Sequence, residues 1–261
     1  MSSELTTEWK EIKWVLTDVD DTLTWQGELP PETLIALSQL QQAGINVVAV
    51  TGACAGWCDH IAQLWPINAV LGENGAFTLE KKNGAVHLSS QKPIDEIRQQ
   101  QEQLKHQILE ILQQYPSLSL TLDQPYRLCE VAIDIGQNRP PVNSEIVEEI
   151  IGKIRQLGAH ATASSIHINA WYGEHSKKNT SLHFLQQRGL SHKAILEQVC
   201  YVGDSLNDQQ MFETLPLTAG VANILHYWDR LEHKPSLIMT KSGGFGFAQF
   251  AQKLLRLKQE P

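Results

Sequence analysis

Val15-Leu16-Thr17-Asp18-Val19-Asp20-Asp21-Thr22 is an apolar run that ends in three carboxylates within four positions. Ile12, Trp14, Val15 and Leu16 favour an extended chain, and turn formers follow. The stretch therefore reads as a buried strand that stops at Asp18. Carboxylates crowded at a strand end repel one another, which is unfavourable unless a cation or a chemical task compensates. Alone, the stretch reads equally well as an acidic turn. Residues elsewhere in the chain must decide.

Working outward, Pro30-Pro31-Glu32 opens a helix carrying Leu34, Leu37 and Leu40, with Gly44 as its stop. Residues 45–50 are nearly all apolar, as in a strand buried on both faces of a parallel sheet, and run into Thr51-Gly52. A helix to about Trp65 and a strand at 69–71 complete a β-α-β-α-β order. The pattern then breaks. Strands at 77–79 and 86–88 flank Asn83-Gly84, a hairpin signal. A glutamine-rich helix at 93–114, strands at 118–122 and 128–135, a helix at 144–157 and strands at 159–163 and 166–169 form an α+β unit. The first pattern resumes with a helix at 178–188, a strand at 199–202 and a helix opened by Gly203-Asp204-Ser205-Leu206-Asn207-Asp208. Strands at 217–221 and 236–239 and a helix at 247–257 follow. The expected fold class is α/β: a Rossmann-like doubly wound parallel-sheet core, residues 1–82 and 172–261, with an inserted α+β cap domain at 83–171.

Composition narrows the function classes. The 261 residues are 42% hydrophobic and 19% charged, which is ordinary for a globular chain. A formal charge of −8 argues against a nucleic-acid surface, whose footprint is basic. No apolar run reaches the length of a membrane span. Met1-Ser2-Ser3-Glu4 lacks the pattern of a signal peptide, so the expected location is cytoplasmic. Cys54 and Cys58 match neither redox nor zinc spacing and read, with the other two cysteines, as ordinary thiols. No nucleic-acid or membrane partner is expected, and the chain is expected to be a monomer or a weak homodimer.

Four segments place polar residues just past a strand or at a helix start: Asp18-Val19-Asp20, Thr51-Gly52, Lys178, and Gly203-Asp204 through Asp208. In an open parallel sheet the strand C-termini share one edge, so these segments can converge on one crevice. Asp18 and Asp204 offer the hard oxygens that Mg²⁺ prefers. A carboxylate can attack phosphorus to give an aspartyl-phosphate. Asp20 can protonate the leaving oxygen and later activate water. Thr51 and Lys178 can bind phosphoryl oxygens, and Gly52 and Gly203 admit close backbone approach. Both acidic motifs arising in order by chance, with Thr-Gly and Lys between them, is on the order of one in a thousand or less. The acidic-turn reading loses.

These motifs resemble those of the haloacid dehalogenase superfamily in its phosphatase branch. The single insertion and Glu73-Asn74-Gly75-Ala76 resemble the group with a larger α/β cap, which includes the sucrose-phosphate and mannosylglycerate-phosphate phosphatases. The resemblance implies Asp18 as nucleophile, Asp20 as acid/base, and Thr51 and Lys178 as phosphate holders. It implies Mg²⁺ held by Asp18, the Asp20 carbonyl, Asp204 and Asp208. Two positions depart from the pattern: Ala53 replaces the arginine common after Thr-Gly, and Lys178-Asn179 replaces Lys-Gly, leaving Lys177 as a rival. Substrate contacts are expected from Gly52, Asn74, Arg127, His167 and Asn207, with Glu130 and Asn169 as further cleft candidates. Trp57-Cys58-Asp59-His60 reads as structural. The expected activity is a Mg²⁺-dependent phosphatase for a small phosphorylated sugar or polyol, so the expected partner is a small phosphorylated metabolite. A phosphomutase with the same nucleophile, or a non-catalytic binding relative, are the alternatives.

Overall fold

The computed structural model describes residues 4–164 and 166–259. Among these, the strands form two sheets. The chain enters the larger sheet through β1 (Trp14–Thr17), continues through helix α1 (Pro31–Gln42) to β2 (Asn46–Val50), and passes through α2 (Ala55–Leu64) to β3 (Ala69–Gly72). β4 (Phe77–Lys82) and β5 (Ala85–Ser90) then turn back as a hairpin. The smaller sheet follows: α3 (Ile94–Leu112), β6 (Val131–Asp134), α4 (Ser144–Gln156), β7 (His160–Ala163) and β8 (His167–Trp171). The chain returns through α5 (Lys177–Gln187) and α6 (His192–Gln198) to β9 (Val199–Gly203). It closes with α7 (Gln209–Thr214), β10 (Thr218–Gly220), β11 (Leu237–Ile238) and α8 (Gly243–Gln259).

The larger sheet has the order β11-β10-β9-β1-β2-β3-β4-β5. Its strands from β11 through β3 are parallel, and β4 and β5 add an antiparallel edge. β1 sits centrally, with Thr17 opposite both Ala49 of β2 and Val202 of β9. Alternation along the strands feeds two apolar layers: Val15, Val47 and Ala49 pack into one, and Leu16, Val48 and Val50 into the other. This double burial explains the unbroken apolar runs read from the sequence. The smaller sheet, β6-β8-β7, is antiparallel and packs against α3 and α4 around a third cluster containing Leu104, Ile133, Ile150 and Ile168. The α/β class with a separate α+β unit is what the structure shows.

Three details differ from the sequence reading. The second hairpin strand, β5, pairs with β4 in the larger sheet, so residues 85–90 lie with the core rather than with the insertion expected from residue 83. The Asn83-Gly84 turn, both residues at positive φ, is tight enough to return the chain directly onto β4. Residues 118–122 form no strand; they touch β6 through the Leu120–Ile133 bridge before a turn at Gln124–Tyr126. α8 begins at Gly243, ahead of the expected start at 247; its first turn packs so closely on Thr33 and Leu23 that a Cβ at Gly244 would collide with them. No helix among the described residues is long and apolar enough to cross a membrane.

Candidate active site

Asp18 follows the last residue of β1, and its backbone N–H donates to Val202 O at 2.9 Å. The chain then reverses through Asp21, whose φ of 55° lies in the left-handed region that aspartate tolerates. Asp21 Oδ1 accepts from the Gln26 N–H, and Thr24 Oγ1 accepts from the Asp21 N–H. This turn leaves Asp18 buried at the sheet edge and Asp20 open to the cleft. From the opposite side β9 delivers Asp204, and Ser205 and Asp208 close a capping box around residues 206–208.

Asp18, Asp204 and Asp208 each place one carboxylate oxygen within 4.8 Å of the others, and all three are buried. Lys177 Nζ bridges Asp18 Oδ1 and Asp208 Oδ1 at 2.8 Å each. Thr22 Oγ1 donates to Asp204 Oδ1 at 3.0 Å, and Asn223 Nδ2 to Asp204 Oδ2 at 2.9 Å. Asp208 Oδ1 also accepts from the Tyr201 hydroxyl, and its Oδ2 accepts from the N–H groups of Asp204 and Ser205 at 2.9 and 3.1 Å. Those bonds fill the acceptor capacity of a carboxylate. Glycine is required at 203, since a Cβ there would lie 2.5 Å from Asp208 Oδ2.

The charges are not balanced. Burial pushes the Asp18 carboxyl up to about 7, against the attraction of Lys177 and with repulsion from Asp208 and Asp20. Burial, then repulsion from Asp208 and Asp18, raises Asp204 well above the usual carboxylate range. Burial opposes the charge on Lys177, yet Asp18 and Asp208 together hold its pKa above that of free lysine. Ionised together, the three carboxylates would exceed the one ammonium by two negative charges, which is why burial favours protonated forms of Asp18 and Asp204 without a cation. Hard oxygen donors with that surplus fit a divalent cation such as Mg²⁺. Desolvation by the cleft walls and repulsion from Asp21 also raise Asp20, although its side chain reaches solvent.

A second polar network braces the Thr51-Gly52 turn. Thr51 Oγ1 accepts from the Ala53 N–H at 3.0 Å, which leaves its own proton free to donate. The Gly52 carbonyl accepts from Arg127 Nη1 at 2.9 Å and Asn169 Nδ2 at 3.1 Å. Glu130 joins them, its Oε1 accepting from Asn74 Nδ2 at 2.8 Å and its Oε2 from Asn169 Nδ2 at 2.7 Å. Burial pushes Glu130 up to about 8, against the attraction of Arg127. Beneath lies Glu73. Its Oε1 accepts from the N–H groups of Ala55 and Leu128, and its Oε2 from those of Cys129 and Glu130, all at 2.7–3.1 Å.

Of the expected site residues, Asp18, Asp20, Gly52, Asn74, His167 and Asn207 line one cavity of about 20 Å³, together with Asn169 and Ser205. Burial pushes His167 down to about 4, and its Nε2 pairs with Gln137 Oε1 at 2.7 Å. Thr51 lies fully buried beside them. Two expectations are corrected. Lys178 is not at the acidic cluster: Ser176 caps α5, Lys177 becomes its first residue and enters the cluster, and Lys178, about 100° further round the helix, reaches out to Glu213 at 3.6 Å. Arg127 is not a cleft residue, because its side chain is wholly buried and engaged by Gly52, Asp123 and Glu130. Glu73, Tyr201 and Asn223 escaped the sequence reading. Only Glu73 carried a signal, in the Glu-Asn-Gly-Ala run.

Residues 15–124 match the haloacid dehalogenase-like hydrolase family. No curated protein is similar enough in sequence to count as a match. Over that segment the chain is similar in sequence to that family, and its fold is shared with solved structures at low identity. Among solved structures, a Thermoplasma acidophilum protein superposes with a TM-score of 0.73 at 18% identity, covering 94% of this chain and 99% of its own. The sucrose-phosphatase from Synechocystis, solved with sucrose and phosphate, gives 0.68 at 13% identity, over 94% of this chain and 98% of its own. A phosphatase of the haloalkanoate enzyme superfamily from Bacteroides thetaiotaomicron gives 0.65 at 16% identity, over 98% of this chain and 99% of its own.

Proposed function

We propose that the chain is a Mg²⁺-dependent phosphatase that hydrolyses a small phosphorylated sugar or polyol through an aspartyl-phosphate on Asp18. One observation carries this reading. Of the six carboxylate oxygens of Asp18, Asp204 and Asp208, Asp18 Oδ2 alone accepts no hydrogen bond among the described residues, and Asp18 lines the cavity. An anchored carboxylate with one free oxygen is what a nucleophile needs.

The residues then divide the work. Lys177 holds Asp18 through Oδ1 and stabilises its ionised form. Asp18 Oδ2 attacks phosphorus while the bond from phosphorus to the leaving oxygen breaks. Asp20, whose raised pKa favours the protonated acid, gives that oxygen its proton. Asp20 next takes a proton from water, whose oxygen attacks phosphorus and releases Asp18 and inorganic phosphate. Thr51 Oγ1 and the backbone at Gly52 hold phosphoryl oxygens in this reading. Asp18 and Asp204 would hold the Mg²⁺, and bound there it neutralises charge on the phosphoryl group. Asp208, with its acceptors filled, serves by fixing Lys177.

The test is phosphate release from a panel of sugar and polyol phosphates, with and without Mg²⁺, for wild type and Asp18→Asn. Release by wild type that needs Mg²⁺ and disappears in the variant is expected. Equal release by both proteins refutes the role of Asp18, and no release from any phosphomonoester refutes the phosphatase reading.

A further inference from the structure

Asp20 stands on a partition. On one side is the small cavity at Asp18; on the other is a cavity of about 460 Å³, also lined by Asp20. We propose that this second cavity seats the leaving group, and that Trp57, His60 and Trp65 on the core side select a neutral, polyhydroxylated one. The proposal rests on the phosphatase reading above and adds to it where the substrate sits and what its non-phosphoryl part must be.

Position is the first argument. An acid that protonates the leaving oxygen must lie between the phosphoryl group and the rest of the substrate, and Asp20 borders both spaces. Size is the second. The cavity at Asp18 has room for about one water, whereas the larger one falls within the range of ligand pockets, roughly 300–1,000 Å³. Chemistry is the third. Trp57, His60 and Ile61 lie three and four residues apart on α2 and share one face, with Trp65 a further turn on. Trp57 is 55% exposed, and its ring meets His60 edge-on at 6.0 Å, forming a ledge open to the cleft. The segment read from the sequence as structural thus presents aromatic surface to the cavity.

Opposite this ledge are amides. Gln26 stands at the tip of a two-residue turn, Gln26-Gly27 at φ 52° and 79°, bridged by Trp25 and Glu28. Gln137 follows β6 and also pairs with His167 of the small cavity, joining the two spaces. Aromatic faces opposed by amide donors and acceptors suit a sugar ring, which is apolar on its C–H faces and polar at its rim. No lysine or arginine is among the described residues lining the cavity, while Asp20 and Asp21 are. A second phosphate or a carboxylate on the substrate would be repelled.

Two measurements test this. The first compares kcat/KM for neutral hexose and disaccharide monophosphates, a hexose bisphosphate, a nucleoside monophosphate and acetyl phosphate, in wild type, Trp57→Ala and Leu64→Ala. Leu64 is 67% exposed on the same helix and does not line the cavity. Wild type is expected to prefer a neutral sugar monophosphate over acetyl phosphate, Trp57→Ala to lose at least tenfold of that preference, and Leu64→Ala to keep it. An unchanged preference in Trp57→Ala, or a wild-type preference for the bisphosphate or the nucleotide, overturns the proposal. The second measurement needs no turnover: calorimetric titration of the free sugars into wild type and Trp57→Ala. Sugar binding lost in the variant supports the cavity assignment even if no phosphomonoester is hydrolysed, a result that would sink the phosphatase reading alone. Absence of binding by every sugar overturns the cavity assignment.

Discussion

Replacing Glu73 by glutamine tests how the two polar networks are tied to the fold. The wild-type carboxylate accepts from four backbone N–H groups: Ala55 and Leu128 at Oε1, Cys129 and Glu130 at Oε2. One of these lies at the start of α2 and three lie in the segment leading into β6, so a single side chain joins the larger sheet's helix to the smaller sheet. Glu73 is fully buried. In Glu73→Gln, one oxygen becomes an NH₂ that faces two donors and accepts from neither. A buried donor left without an acceptor costs about 1–3 kcal/mol, so the loss is about 2–6 kcal/mol, a large share of a typical stability of about 5–15 kcal/mol. Urea unfolding followed by tryptophan fluorescence at pH 7 measures it. A loss below about 1 kcal/mol with an unchanged m-value would refute the claim that these four bonds are integral to the fold. Asn74 follows Glu73 directly and supports Glu130, so phosphate release should also fall in the variant even at temperatures where it stays folded.

Lys177→Ala should lower phosphate release about 100-fold or more while Lys178→Ala lowers it less than about twofold; steady-state rates that rank the variants the other way would return the role to Lys178. Raised native pKa values for Asp18, about 7, and Glu130, about 8, mean that the native state holds protons the unfolded chain releases near pH 4. Their contribution to stability is therefore complete below the unfolded pKa and is lost as pH rises through 7 and 8. Without added metal, stability should fall across pH 5–8, and Glu130→Gln should flatten the slope; parallel curves in pH-dependent urea unfolding would contradict this. Mg²⁺ at 100 times its Kd should stabilise wild type by about 2.7 kcal/mol, and thermal unfolding of Asp204→Asn should show little response to the same Mg²⁺ concentration.

The parallel core was legible because its strands are apolar on both faces and end at polar turns. β2 could hardly be anything else, with Val47 and Ala49 feeding one layer and Val48 and Val50 the other. β1 and β9 carry the acidic motifs, so their convergence followed from the sheet topology alone. What the sequence hid was phase and long range. Choosing between Lys177 and Lys178 needed the first residue of α5, and the clue was Ser176, whose hydroxyl accepts from the Asn179 N–H. Glu73 accepts from backbone groups 18 and 55–57 residues away, and no local pattern announces such bonds. Arg127 was expected in the cleft because the resemblance implies that cap residues read the leaving group. Here Asp123, four residues back, and Glu130, three residues on, pair with it. The ledge at Trp57 was hidden by its helical spacing, which also describes an ordinary packed helix face.

The space at Asp18 is too small for a phosphoryl group, so the two sheets must part before substrate enters. At the Thr51-Gly52 turn three bonds resist that movement. Asn169 and Arg127 both donate to the Gly52 carbonyl, and Asn74 crosses to Glu130. At roughly 0.5–1.5 kcal/mol net for a neutral hydrogen bond and 1.5–3 for a charged one, releasing the three costs a few kcal/mol, and the bonds from the N–H groups of Leu128, Cys129 and Glu130 to Glu73 add to the resistance wherever opening breaks them. The closed arrangement also carries its own penalty, since Asn169 Oδ1 is buried without a donor among the described residues. A hydroxyl or water brought into the cavity beside Asn169 would supply one. Closure would then be more favourable with substrate inside than without, and that difference is what couples binding to the exclusion of water around Asp18.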